Sequence, residues 1–88
     1  MNWFVYIATC NDDSLYTGIT KDIQRREWEH NFDGTKGAIS LKHKRPIKII
    51  YFEIYDSQIT AAKREKAIKN WKKEYKIKLI NKNKKNIL

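Results

Sequence analysis

YTGITKDIQRREWEH, Tyr16–His30, changes character in its middle. With the preceding Leu15, its first residues (LYTGIT, 15–20) are β-branched and aromatic, which predicts a strand. From residue 22 the charged run predicts a helix to about residue 33, with Thr20 or Asp22 to cap its first amides and DGTKG (33–37) to end it. Gly18 inside a strand implies a bulge or the close approach of another group to the backbone. Upstream, WFVYIATC (3–10) predicts a strand and NDDS (11–14) a turn, so residues 3–20 form a hairpin. Downstream, residues 38–46 read as a loop or short turn closed by Pro46. IKIIYFEIY (47–55) is apolar on both faces, which predicts a central strand. Asp56 or Ser57 caps a long helix to about residue 74, and Tyr75–Lys82 predicts a further helical segment. The order β-β-α-β-α-(α) is that of a small α/β (layered α+β) fold, a three-stranded antiparallel or mixed sheet flanked by helices. Residues 1–80 make one domain, and 81–88 a basic flexible tail.

Composition narrows the function. Eighty-eight residues suffice for one domain with a thin core, without room for an enclosed organic cofactor. With 41% hydrophobic residues, three Trp, five Tyr and three Phe, the chain is too apolar to be disordered. No window is apolar enough to span a membrane, and MNWFVYIATC lacks the basic start of a signal peptide, so the chain reads as cytoplasmic. The single Cys10 rules out an intrachain disulfide, and with His30 and His43 it does not make a zinc site. The net charge is +9. Residues 1–62 carry eight Lys/Arg and eight Asp/Glu, whereas residues 63–88 carry eleven Lys/Arg against two Glu. A block that one-sided suits a polyanion, with nucleic acid foremost, although a solvated helix face reads the same way. Lys63, Arg64, Lys69, Lys72, Lys73 and Lys76 are its candidate phosphate contacts.

Two helices place polar residues where apolar ones belong. On the wheel of the second helix, Ala61, Ala62, Ile68, Trp71 and Tyr75 form the arc facing the sheet, and Glu65 falls inside it. An unpaired buried carboxylate costs several kcal/mol. Glu65 therefore either pairs with a Lys or Arg, or lies at a groove edge, where one carboxylate can hold Mg²⁺ with water and a phosphate completing the shell. On the first helix, Arg26 and His30 are four residues apart on the face marked by Ile23, and Arg25 points away. That pair suits an anionic substrate, or else Arg26 bridges Glu65 or Glu53 structurally. Tyr6 and Tyr16, on neighbouring strands, are either packing residues or part of the same constellation.

In these residues the sequence resembles the GIY-YIG nuclease superfamily, and its small stand-alone bacterial branch in particular. The first signature triplet stands here as Phe4-Val5-Tyr6 and the second as Tyr16-Thr17-Gly18. IQRREWEH (23–30) matches the family's helix, and RPIKIIYFE (45–53) with AAKREKAIKNW (61–71) its later strand and helix. The resemblance implies a divalent-metal-dependent endonuclease that hydrolyses phosphodiester bonds in DNA, selective for structure and serving repair or recombination. It implies one Mg²⁺ or Mn²⁺ on Glu65, charge neutralisation by Arg26, activation of water by Tyr16, orientation by Tyr6, proton transfer by His30, and a close approach of the phosphate backbone at Gly18. Asn81 or Asn83 stands for the Asn that relatives carry after the glutamate helix. The alternative from another class is a non-catalytic nucleic-acid-binding module of the same fold.

Overall fold

The computed structural model describes residues 2–83, without the side chain of Ile39. Strand β1, Trp3–Thr9, turns through residues 10–14 into β2, Leu15–Thr20. The Cys10 N–H donates to the Ser14 carbonyl and the Asp13 N–H to the Cys10 carbonyl, with Asp13 at φ 66°. Helix α1, Ile23–Phe32, follows, capped by Asp22, whose carboxylate accepts from the Arg25 N–H at 3.0 Å. Its end is fixed by Asp33, which accepts from the Thr35 and Lys36 N–H groups and the Thr35 hydroxyl; these bonds hold its carboxyl down to about 2. A 3₁₀ turn over Ile39–Lys44 leads to β3, Lys48–Tyr55. Ser57 caps helix α2, Gln58–Lys69, accepting from the Thr60 N–H, and α3, Lys73–Lys82, completes the fold. No helix among the described residues is long and apolar enough to cross a membrane.

The sheet is antiparallel throughout, in the order β2-β1-β3. The hairpin strand β1 is therefore central, and β3, expected there, is an edge. The expectation failed because β3 is covered on both faces although it is open along one side. Ile47, Ile49 and Phe52 join the α1-side cluster of Tyr6, Ala8, Cys10 and Leu41. Tyr51, Ile50 and Tyr55 join the opposite cluster of Val5, Ile7, Ala61, Ile68 and Ile80 beneath α2 and α3. A register shift between Ile7 and Ala8 makes room for Ile50. The start of the β3 edge is closed by α1: Asn31 donates to and accepts from the Ile47 backbone at 2.8 and 2.7 Å, and Glu27 accepts from the Ile49 N–H at 2.7 Å.

Two helical segments follow β3 as expected, but the break between them falls earlier than residue 74. Asn70 ends α2, and Lys72 is extended at φ −65°, ψ 151° before α3 begins. The break lets Trp71 pack against the core, with the Arg64 guanidinium 5.1 Å over its ring, and returns Ile80 to the same cluster. Tyr75, placed on the continuous apolar arc by the sequence, is instead 52% exposed. Helix α3 also runs into the stretch assigned to the tail, taking Asn81 and Lys82; residues 84–88 lie outside the described residues.

Candidate active site

Tyr6 stands near the middle of β1, with its side chain on the α1 face. Its partner across the ladder is Gly18. A Cβ at position 18 would lie 2.6 Å from Tyr6 Oη, so only glycine lets the phenol lie across β2. The close approach to the Gly18 backbone that the sequence implied is made by the Tyr6 ring. Tyr16 is two residues earlier on the same face of β2. Its ring centroid is 6.2 Å from that of Tyr6 and 5.5 Å, edge-on, from that of His30.

Helix α1 brings Ile23, Arg26 and His30 to the sheet at helical spacing. His30 is 1% exposed. The Ala38 N–H donates to its Nδ1 at 3.3 Å, so the ring proton sits on Nε2, which donates to Tyr6 Oη at 2.7 Å. Burial first, then the Arg26 charge and more weakly Arg45, hold the His30 pKa down to about 4, with Glu29 opposing. The imidazole is therefore neutral near pH 7. Burial first, then Tyr16, pushes the Tyr6 phenol well above its usual value; Glu65 adds to this and Arg26 opposes it. Tyr6 is thus a neutral phenol whose oxygen accepts from His30.

Arg26 bridges neither Glu65 nor Glu53. Its Nη1 donates to Glu29 Oε1 at 3.0 Å and to the Lys36 carbonyl at 2.6 Å. Glu29 is 8% exposed, and its other oxygen lies 3.6 Å from Arg25 Nε. The Lys36 carbonyl reaches Arg26 because the 33–37 turn folds tightly onto α1. A Cβ on Gly37 would lie 2.5 Å from the Glu29 carbonyl oxygen.

Glu65 comes from α2, on the opposite face of the sheet. Its neighbour Arg64 turns toward β3, so Glu65, about 100° further round the helix, lies on the β2 side. Its side chain is 20% exposed, with Lys69 Nζ 3.4 Å from Oε2. Its charge reaches Tyr6, where it is one cause of the raised pKa. Tyr6 is thus bonded to His30, faces Tyr16, and feels both Arg26 and Glu65. Among the described residues no group of three or more His, Cys, Asp or Glu surrounds a metal position. One carboxylate whose single ion-pair partner among the described residues is the half-exposed Lys69 fits a hard divalent ion that keeps most of its shell for water and phosphate.

Arg64 does not belong with the phosphate contacts. Its Nε and Nη2 donate to the two Glu53 oxygens at 2.9 and 3.0 Å, and Tyr55 donates to the same carboxylate at 2.8 Å, as does Tyr51. Lys69 pairs with Glu65, and Lys73 Nζ donates to the Asp13 carbonyl at 2.7 Å. Lys63 and Lys72 are exposed and Lys76 half-buried. Asn83 caps α3, its amide donating to the Leu79 carbonyl at 3.0 Å, and Asn81 is exposed on the last turn. The sequence reading missed the residues that hold the site. Glu29 was legible from its i+3 spacing to Arg26, but Arg45, which donates to the His30 carbonyl at 2.6 Å, gives no local signal.

Residues 2–86 match the family model of the GIY-YIG catalytic domain. A UPF0213 protein of Staphylococcus epidermidis is 46% identical over 77 residues, 88% of this chain and 92% of that protein. One from Staphylococcus saprophyticus is 42% identical over 78 residues, 89% of this chain and 93% of that protein. The solution NMR structure of a UPF0213 protein from Bacillus halodurans superposes with a TM-score of 0.58 at 32% identity, covering 92% of this chain and 84% of that one.

Proposed function

The chain belongs to the GIY-YIG family of the nuclease superfamily, and from that premise we propose that it is a divalent-metal-dependent endonuclease that hydrolyses phosphodiester bonds in DNA, with structured repair or recombination intermediates as substrates. The observation that carries this reading is the convergence on Tyr6: His30 bonded to its oxygen, Tyr16 against its ring, and the charges of Arg26 and Glu65 within electrostatic reach.

Glu65 would hold one Mg²⁺ or Mn²⁺, which would supply Lewis-acid stabilisation of the phosphoryl oxygen and leaving group. Arg26, fixed by Glu29 and the Lys36 carbonyl, offers a positive charge that need not reorganise as charge builds on the phosphate. Tyr16 is assigned to activate the attacking water. Tyr6, neutral and held by His30 Nε2–H, keeps its own O–H proton to donate, which suits orientation of water or substrate rather than proton abstraction. His30, bonded at both ring nitrogens and neutral, positions Tyr6. This replaces the proton-transfer role implied by the family resemblance.

The test is cleavage of end-labelled single-stranded, duplex, flap and branched DNA with and without Mg²⁺ or Mn²⁺. The expected result is metal-dependent cutting that Arg26→Ala reduces by at least about 100-fold. Binding that is indifferent to metal, with no cutting of any substrate, would leave a nucleic-acid-binding module.

A further inference from the structure

Beside Arg26 lies a groove of about 380 Å³ lined by Trp3, Ile19, Thr20, Lys21, Arg25, Arg26 and Glu29. It runs from the candidate site to the outer end of the hairpin, where β2 passes into α1. Three of its seven lining residues are cations, and each has a partner: Arg26 is fixed by Glu29 and the Lys36 carbonyl. Lys21 Nζ rests 5.1 Å over the Trp3 ring, and Arg25 Nε lies 3.6 Å from Glu29. The Arg25 side chain is 60% exposed, so its guanidinium is open to a ligand. Glu29, the one acid in the groove, is 8% exposed and already shared between Arg25 and Arg26. The accessible charge is therefore positive, while Trp3 and Ile19, which pack with the α2 and α3 cluster on the other face of the sheet, give an apolar wall across the β2 edge.

We propose that this groove seats the nucleotide next to the scissile phosphate. Lys21 and Arg25 take its phosphate, and its sugar and base lie against Trp3 and Ile19. The inference rests on the nuclease reading for the word scissile; binding in the groove itself does not. Ordered cations beside an apolar wall favour an ester of phosphate over a free anion. In this groove Arg25, left on the solvent side by the sequence, becomes a substrate contact.

The test is fluorescence anisotropy of labelled single-stranded and duplex DNA across a salt series, using the Glu65→Ala protein to suppress cleavage. Lys21→Ala and Arg25→Ala are added singly and together, with Lys48→Ala on β3 as a control for loss of any exposed lysine. Each groove substitution is expected to weaken binding several-fold and to reduce the steepness of log K against log salt by about 0.7 to 0.9. Lys48→Ala is expected to leave both unchanged. Equal effects from all three positions, or none from Lys21 and Arg25, would overturn the proposal. With Glu65 intact, the groove variants are expected to raise KM and spare kcat. Cutting that proceeds with unaltered KM in those variants would refute the groove and leave the nuclease standing. Groove-dependent binding without any cutting would refute the nuclease and keep the groove as a phosphodiester site.

Discussion

His30 illustrates how one residue carries both stability and site geometry. Its folded pKa, about 4, lies below the ordinary value of 6.5. The stabilisation from keeping it neutral is therefore complete above about pH 6.5 and is lost as pH falls toward 4. The gap corresponds to roughly 3 kcal/mol for so buried a ring. Denaturant titrations between pH 7 and 4 are expected to show that loss in the wild type. A His30→Gln variant should be less stable at pH 7 but flatter across the window. Equal slopes in the two proteins would mean that the ring is not held neutral. The spacing Arg26-x-x-x-His30, with a strand tyrosine opposite, was legible because helix and strand periods are local. What completes the set was not: the Ala38 N–H, the Lys36 carbonyl and Arg45 reach the site through a turn whose path no periodicity encodes.

At the scale of elements, β2 and the turn before it carry opposite backbone demands. Gly18 is needed by its neighbour strand. Gly18→Ala would place a methyl 2.6 Å from Tyr6 Oη, and the expected cost is about 1–3 kcal/mol with the Tyr6–His30 bond displaced. Denaturant unfolding measures the first, and loss of cleavage beyond what the stability change explains measures the second. Asp13 is the reverse case, a non-glycine residue at φ 66°. Asp13→Gly is expected to raise stability by up to about 1 kcal/mol while leaving the site alone, and a fall in stability would show that the Asp13 side chain matters to the turn. Both strands of the hairpin, both capped helices and the 33–37 stop were readable from turn and cap residues. The position of β3 was not, because a strand covered by helices on both faces has the same apolar pattern at an edge as at the centre. Nor was the exact place of the break before α3, expected near residue 74 and found at residues 70–72, where Trp71 reaches the core and no glycine or proline marks it.

Across the whole molecule, charge counted along the sequence and charge placed in space differ. The block 63–88 holds the entire net charge, yet Arg64 is tied to Glu53, Lys69 lies against Glu65, and Lys73 holds the hairpin turn. Near the site the exposed cations come instead from the balanced half of the chain, at Lys21 and Arg25. The sheet sets this arrangement: α1 lies on one face, α2 and α3 on the other, and beside the edge strand β2 Gly18 gives Tyr6 room. The central claim is that Glu65 reaches that place from the far layer and holds the metal. The direct measurement is the rate of DNA cleavage against Mg²⁺ and Mn²⁺ concentration, for wild type and Glu65→Ala purified in parallel and matched by thermal unfolding. The expected result is metal-dependent cutting in the wild type, reduced by at least about 100-fold in the variant at every metal concentration, with the fold intact. Undiminished metal-dependent cutting by Glu65→Ala would contradict the assignment.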